Sequence, residues 1–213
     1  MSRVSGLILD LSFAGFVAVV DEGDKPLHQE WRPPGTRYDD AGDWVEKCLV
    51  QSGGNFSDLK WIAMGVGPGS FTGIRIAMAF AQGLAMPRNL PLYGFTTFAP
   101  LFLSCECDAG EHPIALIPAN SGRFYMTKGL EHPGQMVEAE ELLSLADPKT
   151  MLILSGNVPA TDAILAKFGR VHVVEDKWNI PKLIQHARSS GLDPFKPYYL
   201  QLSAAEEKAG SGS

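Results

Sequence analysis

The sequence predicts an α/β protein in which one architecture is used twice, giving two lobes that each hold a mixed sheet flanked by helices. Three observations carry this. The order three strands, helix, strand, helix, strand, helix can be read once before residue 105 and again from residue 113 onward. A polar stretch, residues 105–112, separates the two runs. A short apolar strand starting at Trp61 enters the turn Gly65-Val66-Gly67-Pro68-Gly69-Ser70-Phe71-Thr72-Gly73, and an alanine-rich helix follows. That is a strand, a tight turn and a helix in immediate succession. The lobes are placed at residues 1–104 and 105–203, and the small, polar tail 204–213 is expected to be disordered.

In the first lobe, residues 4–11 and 14–20 are β-rich runs joined near Gly15, and residues 26–31 return as an edge strand after a turn at Gly23. Residues 39–51 form the first helix. Ala41, Trp44, Val45, Cys48 and Leu49 make its apolar stripe, and Asp39 or Asp40 is available as its N-cap. Residues 61–66 are the fourth strand and 74–86 the second helix, capped by Ser70 or Thr72 and stopped by Pro87. A strand at 90–95 and a helix at 96–104 complete the lobe. In the second lobe the strands are 113–119, 123–129, a short one at Met136-Val137, 151–154 and 171–174. The helices are 138–145, 159–168 and 180–189, and 194–202 crosses back extended.

The second helix is more apolar than one buried face requires. Ile74, Ala77, Met78, Ala81, Leu84 and Ala85 follow the three-four spacing of a core stripe, yet Ala79, Phe80 and Gly83 lie off it. Only Arg75 and Gln82 are plainly polar. Such a helix is either central to the core or docks a partner. Its small residues permit another helix to approach closely. A residue at the docking face is expected to tolerate a charge in the lone chain, so Phe80→Asp should leave it folded and abolish partner binding.

A net charge of −6 and the lack of a basic run exclude a chain that grips nucleic acid unaided. Cys48, Cys105 and Cys107 are an odd count without metal-site spacing, which fits a reduced, cytoplasmic compartment. The amino-terminal run is too short for a membrane span. His28, His112, His132, His172 and His186 contain no pair at helical ligand spacing. The glycine turn lacks the Gly-Lys-Ser/Thr ending of a P-loop, and Gly73 comes one residue late for a dinucleotide fingerprint. Gly67, Gly69, Ser70, Thr72 and Gly73 therefore read as a structural turn, with an anion contact at the free amides of the helix start as the alternative.

The run from Gly65 to Arg75, after a strand and before an alanine-rich helix, resembles the signature of the TsaB family. Those proteins are accessory subunits in making N6-threonylcarbamoyladenosine on tRNA. The opening Ile8-Leu9-Asp10 strand, Leu90-Pro91-Leu92-Tyr93-Gly94, and the closing Pro197-Tyr198-Tyr199-Leu200 are similar as well. The resemblance implies the actin-like/Hsp70-like ATPase (ASKHA) fold, in agreement with the duplicated order. It implies a non-catalytic scaffold with no metal or cofactor of its own. A nucleotide at the partner interface is left open. TsaD would be the partner in a heterodimer that modifies adenosine 37 of tRNA, TsaE would join a larger complex, and tRNA would be met only through it. A homodimer would form when the chain is alone, and no membrane is involved. The expected docking residues are Trp44, Cys48, Arg75, Met78, Ala79, Phe80, Gln82, Gly83 and Met86.

This chain departs from the family where Asp10-Leu11-Ser12 replaces Asp-Thr-Ser, where Asn120-Ser121-Gly122-Arg123 stands in the second lobe, and in lacking the usual histidine near the first helix. The bulk of Leu11-Ser12-Phe13 disfavours a phosphate beside Asp10, which is expected to be an exposed strand-end carboxylate or a turn cap. The competing reading is an active ATP-dependent phosphotransferase or a metallopeptidase-like enzyme of the same fold. The partner's His-x-x-x-His is absent from this chain.

Overall fold

The structure is a computed structural model that describes residues 3–119, 122–155, 166–174 and 178–200. The first sheet is built from β1 (Val4–Asp10), β2 (Gly15–Asp21), β3 (Pro26–Arg32), β4 (Trp61–Gly65) and β5 (Leu92–Phe95), in the order β3-β2-β1-β4-β5. The second holds β6 (His112–Pro118), β7 (Phe124–Thr127), β8 (Gln135–Val137), β9 (Thr150–Ser155) and β10 (Arg170–Val174), in the order β8-β7-β6-β9-β10. In each, the first three strands pair antiparallel and the last two join parallel. The duplication read from element order is therefore a duplication of topology. The weak third strand of the second lobe is real but short, paired only against Phe124 to Met126.

Among the described residues five α-helices accompany the sheets: α1 (Ala41–Gln51), α2 (Phe71–Ala85), α3 (Ala99–Leu103), α4 (Ala139–Ser144) and α5 (Ile180–Ser189). Every residue of β1 is buried, because both faces of the first sheet are covered. On one face, Leu7, Leu9, Val17 and Val19 pack under α1 and α2 with Trp44, Leu49, Ile74 and Ala81. On the other, Ile8, Phe16 and Phe95 share a core with Ile117, Tyr125 and Ile153 of the second sheet and Leu183 of α5. A knot of rings lies at this junction: Phe16 is 4.5 Å from Trp31 and 4.1 Å from Trp178, centroid to centroid.

Several element ends differ from the sequence reading, each for a local reason. Asp40 sits at the N-cap position of α1 but does not cap it. Both of its carboxylate oxygens instead accept from the two terminal guanidinium nitrogens of Arg32, at 2.6 and 2.9 Å. α2 starts at Phe71, earlier than residue 74, because the Ser70 Oγ accepts the Gly73 amide at 3.2 Å. α3 begins only at Ala99, with Pro100 in its first turn. The helix expected over 159–168 falls largely on residues 156–165, and the tail 204–213 falls wholly, outside the described residues. Among the described residues no helix is long and apolar enough to cross a membrane.

Candidate functional site: the interlobe cleft and the outer face of α2

The glycine turn at the start of α2 is a seat for three other segments. The Ser70 amide donates to the Ser12 carbonyl at 2.5 Å, and the Ile74 amide to the Ser70 carbonyl at 2.9 Å. A Cβ on Gly69 would stand 2.2 Å from the Ser12 carbonyl oxygen, and one on Gly73 only 1.9 Å from that of Leu11. Those two glycines are required because the β1–β2 loop lies directly on the turn. Gly67, at φ +111°, accepts the Thr97 amide at 2.8 Å, and the Tyr198 amide donates to the Val66 carbonyl at 2.7 Å. The amides of Ser70, Gly73 and Ile74 are thus bonded within the chain, which favours the structural reading of the turn over an anion cradle.

Between the lobes lies a cleft of about 520 Å³. Leu11, Ser12, Phe13, Gly69, Ser70, Phe71 and Thr72 line one wall; Pro118, Ala119 and Tyr125 line the other; Tyr199 and Leu200 close it. Among the described residues lining it, none is charged. Arg75, the cation of α2, is not itself in the lining but is held by two residues that are, Phe71 and Tyr199. Its guanidinium lies 3.9 Å from the Phe71 ring centroid, and its Nε donates to the Tyr199 hydroxyl at 3.1 Å. The Tyr199 ring stacks on Phe71 at 5.0 Å. A magnesium–nucleotide polyphosphate needs cationic and carboxylate partners that this lining does not offer, so the residues present do not fit the ATP that the fold class binds elsewhere.

Asp10 is not an exposed carboxylate: it is 1% accessible. It packs against Gly65, where a Cβ would come within 2.4 Å of it. Its Oδ1 accepts the Ser12 amide at 2.8 Å and the Ser12 hydroxyl at 2.5 Å, and Ser12 Oγ pairs with Thr97 Oγ1 at 2.6 Å. It is therefore the turn cap of the two readings, buried rather than exposed. Oδ2 has no hydrogen-bond partner among the described residues. Burial, only partly offset by the Ser12 bonds, pushes the carboxyl up to about 6.

Because the folded value lies above the ordinary 3.8, the folded state holds a proton between those pH values that the unfolded state releases. Stability contributed by the neutral acid is lost as pH rises through about 6. Asp10→Asn keeps the Oδ1 acceptor and removes the desolvated charge, while its amide lacks an acceptor. A net gain of about 1 kcal/mol at neutral pH is expected. Thermal melts against pH check this: relative to Asp10→Asn, the wild type should lose stability as pH rises from about 4 to about 6.

The expected docking residues separate into two sets. Trp44, Cys48 and Met78 are 1%, 0% and 7% accessible and belong to the core beneath α1 and α2. Their assignment to a docking face is corrected: the stripe that faces the chain's own sheet has no surface left for a partner. Arg75, Ala79, Gly83 and Met86 are exposed, and their spacing puts them in one row along α2. A Cβ on Gly83 would touch nothing within 4 Å, and Met86 is 66% accessible. Phe80 and Gln82 are half-buried at the edges of that row. Phe80 meets the Phe56 ring edge-on at 6.4 Å, and Gln82 Nε2 donates to the Pro194 carbonyl at 3.5 Å. Phe80→Asp therefore disturbs packing as well as surface. Val50, 63% accessible on α1, escaped the sequence reading because it sits among the charged residues of the polar face.

A duplicated α/β fold with a cleft between two like-built lobes defines a protein of the actin-like class. A family model described as TsaD, tRNA N6-adenosine threonylcarbamoyltransferase, matches residues 39–142. The tRNA threonylcarbamoyladenosine biosynthesis protein TsaB of Escherichia coli K12 is 31% identical over 106 residues, 49% of this chain and 46% of that protein. The protein of that name from Haemophilus influenzae is 31% identical over 130 residues, 60% of this chain and 55% of that one. The chain thus spans about half the length of the curated relatives it matches. The solved structure of YeaZ from Pseudomonas aeruginosa superposes with a TM-score of 0.67 at 22% identity, covering 94% of this chain and all of that one; this likeness concerns the fold. Over the matched residues the chain is similar to proteins of the TsaB family.

Proposed function

We propose that this chain serves threonylcarbamoyladenosine biosynthesis as a non-catalytic scaffold that binds and activates the threonylcarbamoyl-transferring subunit, TsaD. The single observation that carries the reading is the exposed row Ala79, Gly83 and Met86 on α2, a helix whose other faces are packed. Small residues in a row let a second helix approach closely enough for its backbone to touch. The uncharged cleft and the Asp10 carboxylate, enclosed by Ser12 and Gly65, support a role without phosphoryl chemistry. The first lobe, residues 1–104, carries the docking face, and TsaE joins through the complex.

Association costs on the order of 4–15 kcal/mol before any net affinity appears. Burying Met86 and Val50 contributes roughly 1.5–3 kcal/mol each, so α1 has to share the interface with α2. The same face pairs two copies of the chain when the partner is absent. With a net charge of −6, tRNA is met through the partner and not by this chain.

Reconstituted transfer of the threonylcarbamoyl group to tRNA tests the proposal. TsaD from the same source, supplied with TsaE and substrates, should modify tRNA only when this chain is added, and this chain with TsaE but without TsaD should modify none. Modification by this chain without TsaD, or a rate indifferent to its presence, would overturn the scaffold reading.

A further inference from the structure

We propose that His28, Glu30 and Cys48 form a binding site for a divalent transition-metal ion, zinc by preference, that clamps the edge strand β3 to α1. Strand alternation puts His28 and Glu30 on the same face of β3. Cys48 lies on the stripe of α1 that packs toward the sheet. Glu30 Oε2 is 3.5 Å from His28 Nε2 and 3.6 Å from Cys48 Sγ, and all three donor atoms lie within 4.8 Å of one another. Zinc bonds of about 2.0–2.3 Å to nitrogen, oxygen and sulfur set tetrahedral ligand atoms roughly 3.3–3.8 Å apart. Two of the three spacings already have that value, and the third is at most 4.8 Å.

The donor set points to the ion. One imidazole, one carboxylate and one thiolate suit zinc or cobalt and not magnesium or calcium, which take oxygen ligands. Three protein ligands leave one position for water. The His28 and Glu30 side chains are 26% and 41% accessible, so that position and the route to it are open, while Cys48 closes the inner side. The site lies on the opposite side of β3 from the Trp31–Trp178 contact of the lobe junction, and it shares no residue with the cleft.

Binding is a proton exchange. The Cys48 thiol, which otherwise donates to Glu30, releases its proton to solvent as the sulfur–metal bond forms. Burial and the Glu30 carboxylate hold that thiol up to about 12, and the ion has to displace its proton. The expected affinity is accordingly lower than that of a dedicated structural zinc site. No spacing in the sequence announces this group, because its members come from a strand and a helix and meet only in the fold.

The test uses the full-length, untagged chain carrying Cys105→Ser and Cys107→Ser, so that Cys48 is its one thiol. After chelation and dialysis it is titrated with Co²⁺, read by absorption, and with Zn²⁺, read by calorimetry. The expected result is one equivalent bound, a thiolate-to-cobalt charge-transfer band, and a higher melting temperature in zinc. Cys48→Ser should remove the band, and His28→Ala and Glu30→Gln should each weaken binding by at least about tenfold. If Cys48→Ser folds poorly, the two β3 variants carry the test, because their side chains are partly exposed. No binding at 100-fold the protein concentration, binding without the thiolate band, or an affinity unchanged in His28→Ala would overturn the proposal.

Discussion

Gly83→Arg is expected to leave the lone chain folded and to weaken the proposed complex with TsaD by at least about 100-fold, or about 3 kcal/mol, the scale of a central interface residue. The Gly83 Cα faces open space, so an added side chain meets nothing of its own chain. Replacing a glycine within a helix also lowers the helix's intrinsic cost, by up to about 1 kcal/mol. A long cation there holds an incoming helix away and would be buried without a partner if the helix came closer. Ala79→Arg, one turn earlier in the same exposed row, should act the same way. Isothermal titration against TsaD, beside thermal melts of the lone variants, separates binding from folding. Full affinity in Gly83→Arg would remove α2 from the interface.

Gly73→Ala should have the opposite effect on stability within the same helix. A Cβ at position 73 would lie 1.9 Å from the Leu11 carbonyl oxygen, a backbone atom that cannot turn aside. Relief requires the β1–β2 loop to lift from the start of α2. That would break the Ser70 amide bond to Ser12 and strain the cap that Ser70 gives to Gly73. A loss of about 3 kcal/mol is expected, the upper end of the usual cost of overpacking. Urea denaturation followed by circular dichroism measures it, and Gly83→Ala, stabilising by up to about 1 kcal/mol, is the internal control. Equal stability of the two variants would show that the glycine turn is looser than the structure has it.

Much of the fold is written locally. The five residues Ala41, Trp44, Val45, Cys48 and Leu49, chosen by helical spacing alone, are the buried residues of α1. Ile74, Ala77, Met78, Ala81 and Ala85 are buried on α2 by the same rule, while Leu84, at the stripe's edge, is half-buried. The repeated element order returns as two sheets with one strand order.

What local pattern does not carry is contact between distant segments. Asp10 looks like a strand-end carboxylate free to face water until β4 brings Gly65 against it. Arg75 looks like a free cation on an apolar helix until Tyr199, from the far end of the chain, accepts its Nε–H beside Phe71. Trp44, Cys48 and Met78 belong to the core beneath α1 and α2 and not to a docking face: spacing shows which residues share a face, not which face is already covered. His28 and Glu30 were two scattered polar residues until the pairing of β3 and the packing of α1 placed Cys48 beside them.

The claim that this chain is a docking subunit rests most directly on one measurement, size-exclusion chromatography with light scattering. The chain is run alone, mixed with TsaD from the same source, and mixed as Gly83→Arg. A one-to-one complex that replaces the free species, and that Gly83→Arg fails to form, is the expected result. Separate elution of both proteins at micromolar concentration, with and without nucleotide, would contradict the scaffold reading.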